Sequence, residues 1–150
     1  MQEYTIYIGA DHRGFAKKTE LIKLLANCHG FVKVEDLGAH EYIKDDDFND
    51  PAKAVARAVA SNQNGFGVLL CGSGQGVCMQ ANRLSGARAV CVKSVDEAVT
   101  GREHDWANIV CMPADVLEPV AMEKIVKALC HAKPLDTERH RRRMQKLEED

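Results

Sequence analysis

Residues 66–71, FGVLLC, form an unbroken apolar run, and this run limits the folds that the chain can adopt. A strand with one face in water alternates apolar and polar side chains, whereas a strand covered on both faces does not. Coverage on both faces is typical of parallel sheets with helices packed on each side. The run therefore predicts a buried central strand of an α/β protein.

Four further strand candidates alternate with helical segments along the chain. Such an alternation, joined by short right-handed crossovers, favours a parallel sheet with helices on both faces. The sequence therefore predicts an α/β fold: a three-layer α/β/α sandwich with a five-stranded, parallel, Rossmann-like sheet. The predicted strands are 4–9, 31–38, 66–71, 87–92 and 107–113, and the predicted helices are 15–28, 51–62, 77–84, 94–105 and 115–132.

Several helix ends carry residues that favour a boundary. Pro51 suits a first helical position with Asp50 before it as a cap, and Ser94 suits a cap as well. Residues 29–30, His-Gly, predict the end of the first helix, and Pro119 lies near the start of the last apolar one.

The length and charge of the chain narrow its organisation and its partners. Its 150 residues fit a single domain over 1–150, with a helical tail over about 136–150. A net charge of −2 gives no electrostatic argument for binding nucleic acid or a membrane. The chain begins without a basic region followed by an apolar one, which predicts a cytoplasmic protein.

The six cysteines are expected to be free thiols. The chain has no CxxC pair and no Cys/His cluster with zinc spacing, so we expect no metal. Three disulfides would suit a short secreted chain, which this sequence does not resemble. The cysteines are Cys28, Cys71, Cys78, Cys91, Cys111 and Cys130.

The segment 71–76, CGSGQG, directly follows the buried strand. It lacks the third glycine of a dinucleotide fingerprint and the lysine of a Walker loop. Val77 stands where a cysteine phosphatase loop needs arginine, and Cys71 stands where a GxSxG elbow needs glycine. Two interpretations remain: a tight turn beside an inert thiol, or a nest of N–H groups that stabilises an oxyanion and favours the thiolate.

Three other polar segments allow both a structural and a functional interpretation. Asp11 and His12 follow the first strand, where Asp11 could cap a helix or contact a ligand. His104 lies in a charged segment that is either a solvated turn or part of a site. Arg139 and Arg143 lie one helical turn apart in the tail. They either belong to a solvated helix face or bind an anion together.

Together these segments resemble the type B ribose-5-phosphate isomerase family, which also contains the subunits of galactose-6-phosphate isomerase. The resemblance rests on GADHRGF, LLCGSGQGVCMQANR, REHDWAN and RHRRR, and on their order and spacing over nearly the whole chain. It implies a cofactor-independent aldose–ketose isomerase that interconverts D-ribose 5-phosphate and D-ribulose 5-phosphate through an enediolate. It also implies a homodimer, alone or paired into a tetramer, whose active sites are shared between subunits.

The resemblance assigns roles to individual residues. Cys71 matches the base that moves a proton between C1 and C2, Ser73 matches a hydroxyl that assists at the oxygens, and His104 matches a residue that helps open the furanose ring. The remaining matches are substrate-binding residues, of which His12, Arg139 and Arg143 belong to the phosphate site. The substrate-binding set is Asp11, His12, Gly72, Gly74, Gln75, Gly76, Asp105, Asn108, Arg139, His140 and Arg143.

Two positions depart from the family pattern. Asp105 stands where the family usually has asparagine, and a carboxylate cannot donate a hydrogen bond to a sugar oxygen. Phe48 stands where the family often has tyrosine, so the phenol is missing. These changes leave other substrates open: a tetrose 4-phosphate, or a hexose 6-phosphate such as galactose 6-phosphate. A non-catalytic sugar-phosphate-binding paralogue is also open, whereas the missing GxGxxG argues against a nucleotide-binding module.

Overall fold

The computed structural model describes residues 3–28 and 32–149, and in these ranges it contains five strands and six helices. The elements alternate along the chain as the sequence predicts. The strands are β1 Tyr4–Ala10, β2 Val32–Asp36, β3 Gly65–Cys71, β4 Ala89–Cys91 and β5 Ile109–Pro113. The helices are α1 Phe15–Ala26, α2 Asn49–Ala60, α3 Gln75–Ala81, α4 Val95–Asp105, α5 Pro119–His131 and α6 Glu138–Leu147.

The five strands form one parallel sheet in the order β2-β1-β3-β5-β4. The predicted five-stranded α/β fold is confirmed, and β3 is its central, fully buried strand. The order reverses between β1 and β3, and open α/β sheets bind ligands at the carboxyl ends of strands near such a reversal. The topology therefore directs attention to the ends of β1 and β3.

Side chains of β3 alternate between two apolar layers, which explains its unbroken apolar sequence. Val68 and Leu70 lie in the layer formed with α1 and α5, whereas Leu69 and Cys71 lie in the layer formed with α2 and α3. Each fully buried aliphatic side chain of this kind contributes about 1.5–3 kcal/mol to folding. Both layers exclude water, so neither face of β3 needs polar residues.

Several helix boundaries differ from those predicted. The second helix begins at Asn49 rather than at Pro51, so Asp50 lies inside the first turn and not at the cap. Proline is still tolerated there because the N–H groups of a first turn have no intrahelical partner. The predicted stop at residues 29–30 lies outside the described ranges, and α1 ends at Ala26. The last apolar helix begins at Pro119 itself, after a turn over residues 114–116.

Two helices in the described ranges begin with a side-chain cap. The hydroxyl of Ser94 accepts a hydrogen bond from the Glu97 N–H at 3.2 Å, which confirms the predicted cap. The hydroxyl of Thr137 accepts one from the His140 N–H at 3.4 Å and so defines the start of the tail helix.

All six cysteines fall within the described ranges and are free thiols, as predicted. Three of them, Cys71, Cys111 and Cys130, are buried, and the other three are half-buried. In the part of the chain that the structure covers, no helix is both long enough and apolar enough to span a bilayer.

Candidate active site

The loop after β3 brings a thiol and a left-handed glycine together. Cys71 is the last residue of β3 and is 5% exposed, and the Gly74 N–H donates a hydrogen bond to its sulfur at 3.2 Å. Gly74 has φ +76°, and a Cβ on it would lie 2.9 Å from the carbonyl carbon of Met112. Only glycine suits this conformation and this space, so Gly74 lets the loop turn back onto the thiol.

The same loop offers two unpaired backbone donors. The carbonyls of Cys71 and Gly72 accept hydrogen bonds from the N–H groups of Ala114 and Asp115, at 2.9 and 3.1 Å, in the segment after β5. The N–H of a trans peptide points opposite to its carbonyl, so those of Gly72 and Ser73 point away from β5. Among the residues described, neither N–H has an acceptor. This arrangement suits a developing oxyanion.

The next residues of the loop are covered by an aromatic ring. The Gln75 N–H donates a hydrogen bond to the Ser73 hydroxyl oxygen at 3.2 Å, which holds the hydroxyl at the loop. The ring of Phe48 packs on Gly76, where an added Cβ would lie 3.0 Å from its Cζ. The departure at position 48 therefore lies directly against the glycine loop.

Asp11 and His12 extend from the end of β1 at the same edge of the sheet. The Asp11 carboxylate is 5% exposed and accepts hydrogen bonds from the N–H groups of Arg13 and Gly14, at 2.9 and 3.2 Å. His12 is bound to Asp46 twice, through its N–H at 2.7 Å and through its ring Nδ1 at 2.9 Å. Asp46 thereby orients the imidazole and leaves the other ring nitrogen for a ligand.

The acidic surroundings favour the imidazolium form of His12. Its pKa is raised, chiefly by the hydrogen bond to Asp46 and further by the charges of Asp11, Asp46 and Asp45, against a smaller opposing effect of burial. Asp11, His12 and Asp46 could also hold a metal ion, because their potential metal-binding atoms all lie within 4.8 Å of one another. No other group of three or more His, Cys, Asp or Glu residues within 3–28 and 32–149 has this proximity. The hydrogen bonds between His12 and Asp46 account for part of that proximity.

These residues form the carboxyl-edge cluster, which we define as Asp11, His12, Cys71, Gly72, Ser73, Gly74, Gln75 and Gly76. The other predicted site residues, apart from Asn108, form a second group, the amino-edge cluster, defined as His104, Asp105, Arg139, His140 and Arg143. His104 and Asp105 end α4, and the rings of His104 and His140 lie 5.8 Å apart. Helix α6 is held there because the Leu135 N–H donates to the Glu103 carbonyl at 2.9 Å.

Cationic groups dominate the amino-edge cluster. His140 is 2% exposed and its Nδ1 lies 2.7 Å from the Thr137 hydroxyl. Its pKa is lowered, first by burial and then by the positive charges of Arg139 and Arg143 and by His104. Both arginines are exposed, and neither forms an ion pair within the described ranges. Two guanidinium groups are thus available to an anion.

The two clusters lie at opposite ends of the sheet. In the register of β3 with β5, Cys71 pairs with Pro113, whereas Gly67 pairs with Ile109. Four residues separate the two levels, which is about 13 Å along the strand. Helix α4 ends just before β5 begins, so His104 and Asp105 lie at the amino ends of the strands. One copy of the chain therefore places eight of the fourteen predicted site residues at the carboxyl edge and five at the amino edge.

Asn108 lies near the amino edge but its side chain is engaged. Its Oδ1 accepts from the Arg88 N–H at 2.8 Å, and its Nδ2 donates to the Gly86 carbonyl at 3.0 Å. It is 8% exposed and ties the start of β5 to the loop before β4. These bonds give Asn108 a structural role within one copy.

Known proteins are similar to this chain in both sequence and fold. Residues 6–147 match the family model described as Ribose/Galactose Isomerase. The chain belongs to the ribose/galactose isomerase family. A probable ribose-5-phosphate isomerase B from Mycoplasma pneumoniae is 36% identical over 144 residues, which make up 96% of this chain and 93% of that relative.

Solved structures of family members agree with this assignment. Ribose-5-phosphate isomerase B from Mycoplasma genitalium, with bound ribulose-5-phosphate, is 34% identical with a TM-score of 0.90 and covers 99% of this chain and 96% of its own. The enzyme from Thermotoga maritima is 34% identical with a TM-score of 0.89 over 98% and 99% of the two chains. The resemblance predicted from the four sequence segments is confirmed.

Two features of this family member could not be predicted from its sequence. Asp46 holds His12 across 34 positions of the chain, and only its place in an acidic, aperiodic segment gave a signal. The side chain of Arg13 lies at the same loop as Cys71, and nothing in its sequence context distinguishes it from an exposed helix-flanking arginine.

Proposed function

We propose that this member of the ribose/galactose isomerase family interconverts D-ribose 5-phosphate and D-ribulose 5-phosphate without a cofactor. Its relatives are named ribose-5-phosphate isomerase B, and the one from Mycoplasma genitalium binds ribulose-5-phosphate. The observation that carries the proposal is the Cys71 thiol beside the unpaired N–H groups of Gly72 and Ser73. This combination offers a base and an oxyanion site at one point.

Cys71 acts as the base that serves both carbons. Its thiolate removes the proton from C2 of the open-chain aldose, and the electron pair moves to form the C1–C2 double bond, leaving negative charge on O1. The Ser73 hydroxyl relays a proton from O2 to O1, and the Cys71 thiol then returns its proton to C1. The ketose forms, the thiolate is regenerated, and no external oxidant or reductant is consumed.

The glycine loop stabilises the enediolate. The N–H groups of Gly72 and Ser73 are fixed because the carbonyls of the same two peptide units, those of Cys71 and Gly72, are held by the segment after β5. Donors that are already oriented cost little reorganisation as charge develops, which is the basis of oxyanion-hole catalysis. Asp11, Gln75 and the glycines at 74 and 76 complete the sugar-binding surface of the proposed site.

The phosphate is bound by cations from both clusters. His12, held as an imidazolium by Asp46, contributes from the carboxyl edge. Arg139 and Arg143 contribute two guanidinium groups that have no ion-pair partner in the described part of their own copy, with His140 beneath them. Guanidinium–phosphate hydrogen bonds are charge-assisted and bidentate, so they position the substrate as well as bind it.

Each active site is completed by a second copy of the chain. The buried sheet lies between the two clusters of one copy, and a pentose phosphate cannot contact both. In a two-fold homodimer, the amino-edge cluster of one copy lies beside the carboxyl-edge cluster of the other, so two equivalent sites form. His104 from the second copy then assists opening of the furanose ring. A tetramer built from such dimers contains the same sites.

The exposed carboxylate of Asp105 favours a second candidate substrate class. An acceptor at this position selects a sugar hydroxyl that donates, whereas an amide would also accommodate an acceptor oxygen. A tetrose 4-phosphate or a hexose 6-phosphate such as galactose 6-phosphate presents different hydroxyl groups to that position. A paralogue that binds ribose 5-phosphate without converting it is the non-catalytic alternative.

A substrate panel tests the proposal directly. Isomerisation of tetrose, pentose and hexose phosphates is measured with the wild-type chain, Cys71→Ala and Asp105→Asn. Ribose 5-phosphate is expected to be the best substrate, and Cys71→Ala to abolish its turnover. Saturable binding of ribose 5-phosphate without product would support the non-catalytic alternative and contradict the proposal.

A further inference from the structure

The side chain of Arg13 lies across the glycine loop. A Cβ on Gly72 would overlap the guanidinium of Arg13, whose Cζ, Nε and Nη1 are the three atoms nearest to that position. Glycine at 72 therefore leaves room for a cation directly on the backbone of the loop. The charge of Arg13 therefore lies beside the N–H of Gly72, the first donor of the proposed oxyanion site. In sequence, Arg13 directly follows His12.

Asp115 sets the orientation of this guanidinium. Its carboxylate pairs with Nη2 of Arg13, and its own N–H donates to the Gly72 carbonyl at 3.1 Å. The Arg13 side chain is 54% exposed, and among the described residues its Nε and Nη1 have no acceptor. Nη2 is thus held by Asp115, whereas Nε and Nη1 keep free N–H donors beside the loop.

We infer that Arg13 is a further substrate-binding residue, which binds the phosphate of the sugar phosphate together with His12 of the same copy. This inference rests on the proposed function and adds a same-copy guanidinium to the cations that the second copy supplies. A guanidinium with free N–H donors can form a charge-assisted hydrogen bond to a phosphate oxygen, and its charge is spread over a plane rather than concentrated as in a lysine ammonium. Asp115 is a positioning residue, because it acts only through Arg13 and the loop.

Kinetics of Arg13→Gln and Arg13→Lys test this assignment. The KM for ribose 5-phosphate and the competitive Ki of inorganic phosphate are both expected to rise about tenfold or more in Arg13→Gln, because a charge-assisted bond is lost. Arg13→Lys should fall between Arg13→Gln and wild type, and kcat should change less than about threefold. Arg57→Gln, which removes an exposed arginine from α2, is the matched control and should leave all three values unchanged.

A rescue variant separates substrate binding from a merely structural ion pair. In Arg13→Ala combined with Asp115→Arg, the guanidinium reaches the same space from the opposite loop and the ion pair is gone. Recovery of the phosphate Ki to within about threefold of wild type supports the inference. No recovery over Arg13→Ala alone, or a KM and Ki in Arg13→Gln that stay within about twofold of wild type, overturns it.

Calorimetric titration distinguishes this inference from the proposed function. Inorganic phosphate is titrated into the wild-type chain and into Arg13→Gln, with folding checked by thermal denaturation. If the wild-type chain turns over no sugar phosphate but binds phosphate about tenfold more tightly than Arg13→Gln, the proposed function fails and the role of Arg13 stands. Equal phosphate affinity of the two proteins overturns the role of Arg13 whatever the turnover.

Discussion

The two edges of the sheet differ in how their polar groups are held. At the carboxyl edge, His12 is bound by Asp46, the Asp11 carboxylate by two backbone N–H groups, and the Cys71 sulfur by Gly74. At the amino edge, Arg139 and Arg143 are exposed and form no ion pair in the described ranges. The first cluster is organised by its own fold, whereas the second has charges that its own copy does not neutralise.

This difference suggests a division of tasks between two copies. The groups proposed to transfer the proton, Cys71 and Ser73, are held by hydrogen bonds within one chain, so their geometry does not depend on assembly. The groups proposed to bind the phosphate include Arg139 and Arg143, which lie on a surface that the proposed assembly would cover. The following predictions test this contrast, from the largest expected effect to the smallest.

The largest effect is expected at the carboxyl edge. Cys71→Ala removes the proposed base, and loss of a general base lowers kcat by about 10²–10⁴-fold. Turnover of ribose 5-phosphate measures this loss, while phosphate affinity and oligomer mass should stay unchanged because the proposed phosphate-binding side chains at both edges are intact. Cys28→Ala, which removes a half-buried thiol far from the loop, is the control. A Cys71→Ala protein with full turnover would rule out the mechanism.

The next largest effect is expected at the amino edge. Arg139→Gln combined with Arg143→Gln should raise the KM for ribose 5-phosphate about 100-fold, since two charge-assisted contacts to phosphate are lost. The matched control is Arg141→Gln with Arg142→Gln, which removes two arginines of the same helix that pair with Asp136 and Glu138. Equal KM values for the two double variants would refute a phosphate role specific to one helix face.

A smaller effect is expected from Asp46, the carboxylate that binds His12 at the carboxyl edge. Asp46 is the chief cause of the raised pKa of His12, so Asp46→Asn should lower that pKa. We expect phosphate to bind best while His12 is protonated. The affinity for phosphate is therefore present below the pKa of His12 in the folded protein and is lost as the pH rises through that pKa. In Asp46→Asn this loss should occur at lower pH, with phosphate Ki about three- to tenfold weaker near neutral pH.

The comparison for this prediction is Asp47→Asn, which removes an exposed carboxylate one position along the chain. Phosphate inhibition is measured from acidic to alkaline pH for all three proteins. The Asp47→Asn profile should match wild type. If the Asp46→Asn profile also matches wild type, His12 does not bind phosphate as an imidazolium.

The smallest effect is expected at the departure from the family pattern in the amino-edge cluster. Asp105→Asn replaces an acceptor by an amide that also donates, so kcat/KM for ribose 5-phosphate should rise about two- to fivefold. Hexose 6-phosphate or tetrose 4-phosphate turnover should not rise in parallel. Glu103→Gln, two positions earlier, controls for the loss of one negative charge. An equal rise in kcat/KM for all substrates would show that position 105 does not distinguish one sugar from another.

Much of the fold could be predicted from local pattern, because strands and helices carry their own periodicity. The apolar run of β3, the Ser94 cap and the five parallel strands follow from residue types alone. The start of α2 could not be predicted in this way, because a proline in the first turn is compatible with more than one starting residue. Strand order depends on contacts between distant segments and is not encoded locally.

The candidate site residues could be selected from the sequence only through the resemblance to the family. Residue types alone left a structural interpretation open for the thiol, the glycines and the arginines. The contacts of His12 with Asp46 and of Gly72 with Arg13 join segments far apart in sequence. Such contacts form only once the sheet is assembled, so residue spacing does not reveal them.

A mixed dimer tests the central claim that one site is built from two copies. Cys71→Ala chains and Arg139→Gln/Arg143→Gln chains are co-expressed with different affinity tags, and the hetero-assembly is isolated with both tags. The hetero-assembly then contains one site with both defects and one site with neither. About half of the wild-type turnover at low substrate concentration is therefore expected, although each of the two parent homo-assemblies is inactive under the same conditions. A mixed dimer as inactive as its parents would contradict the account.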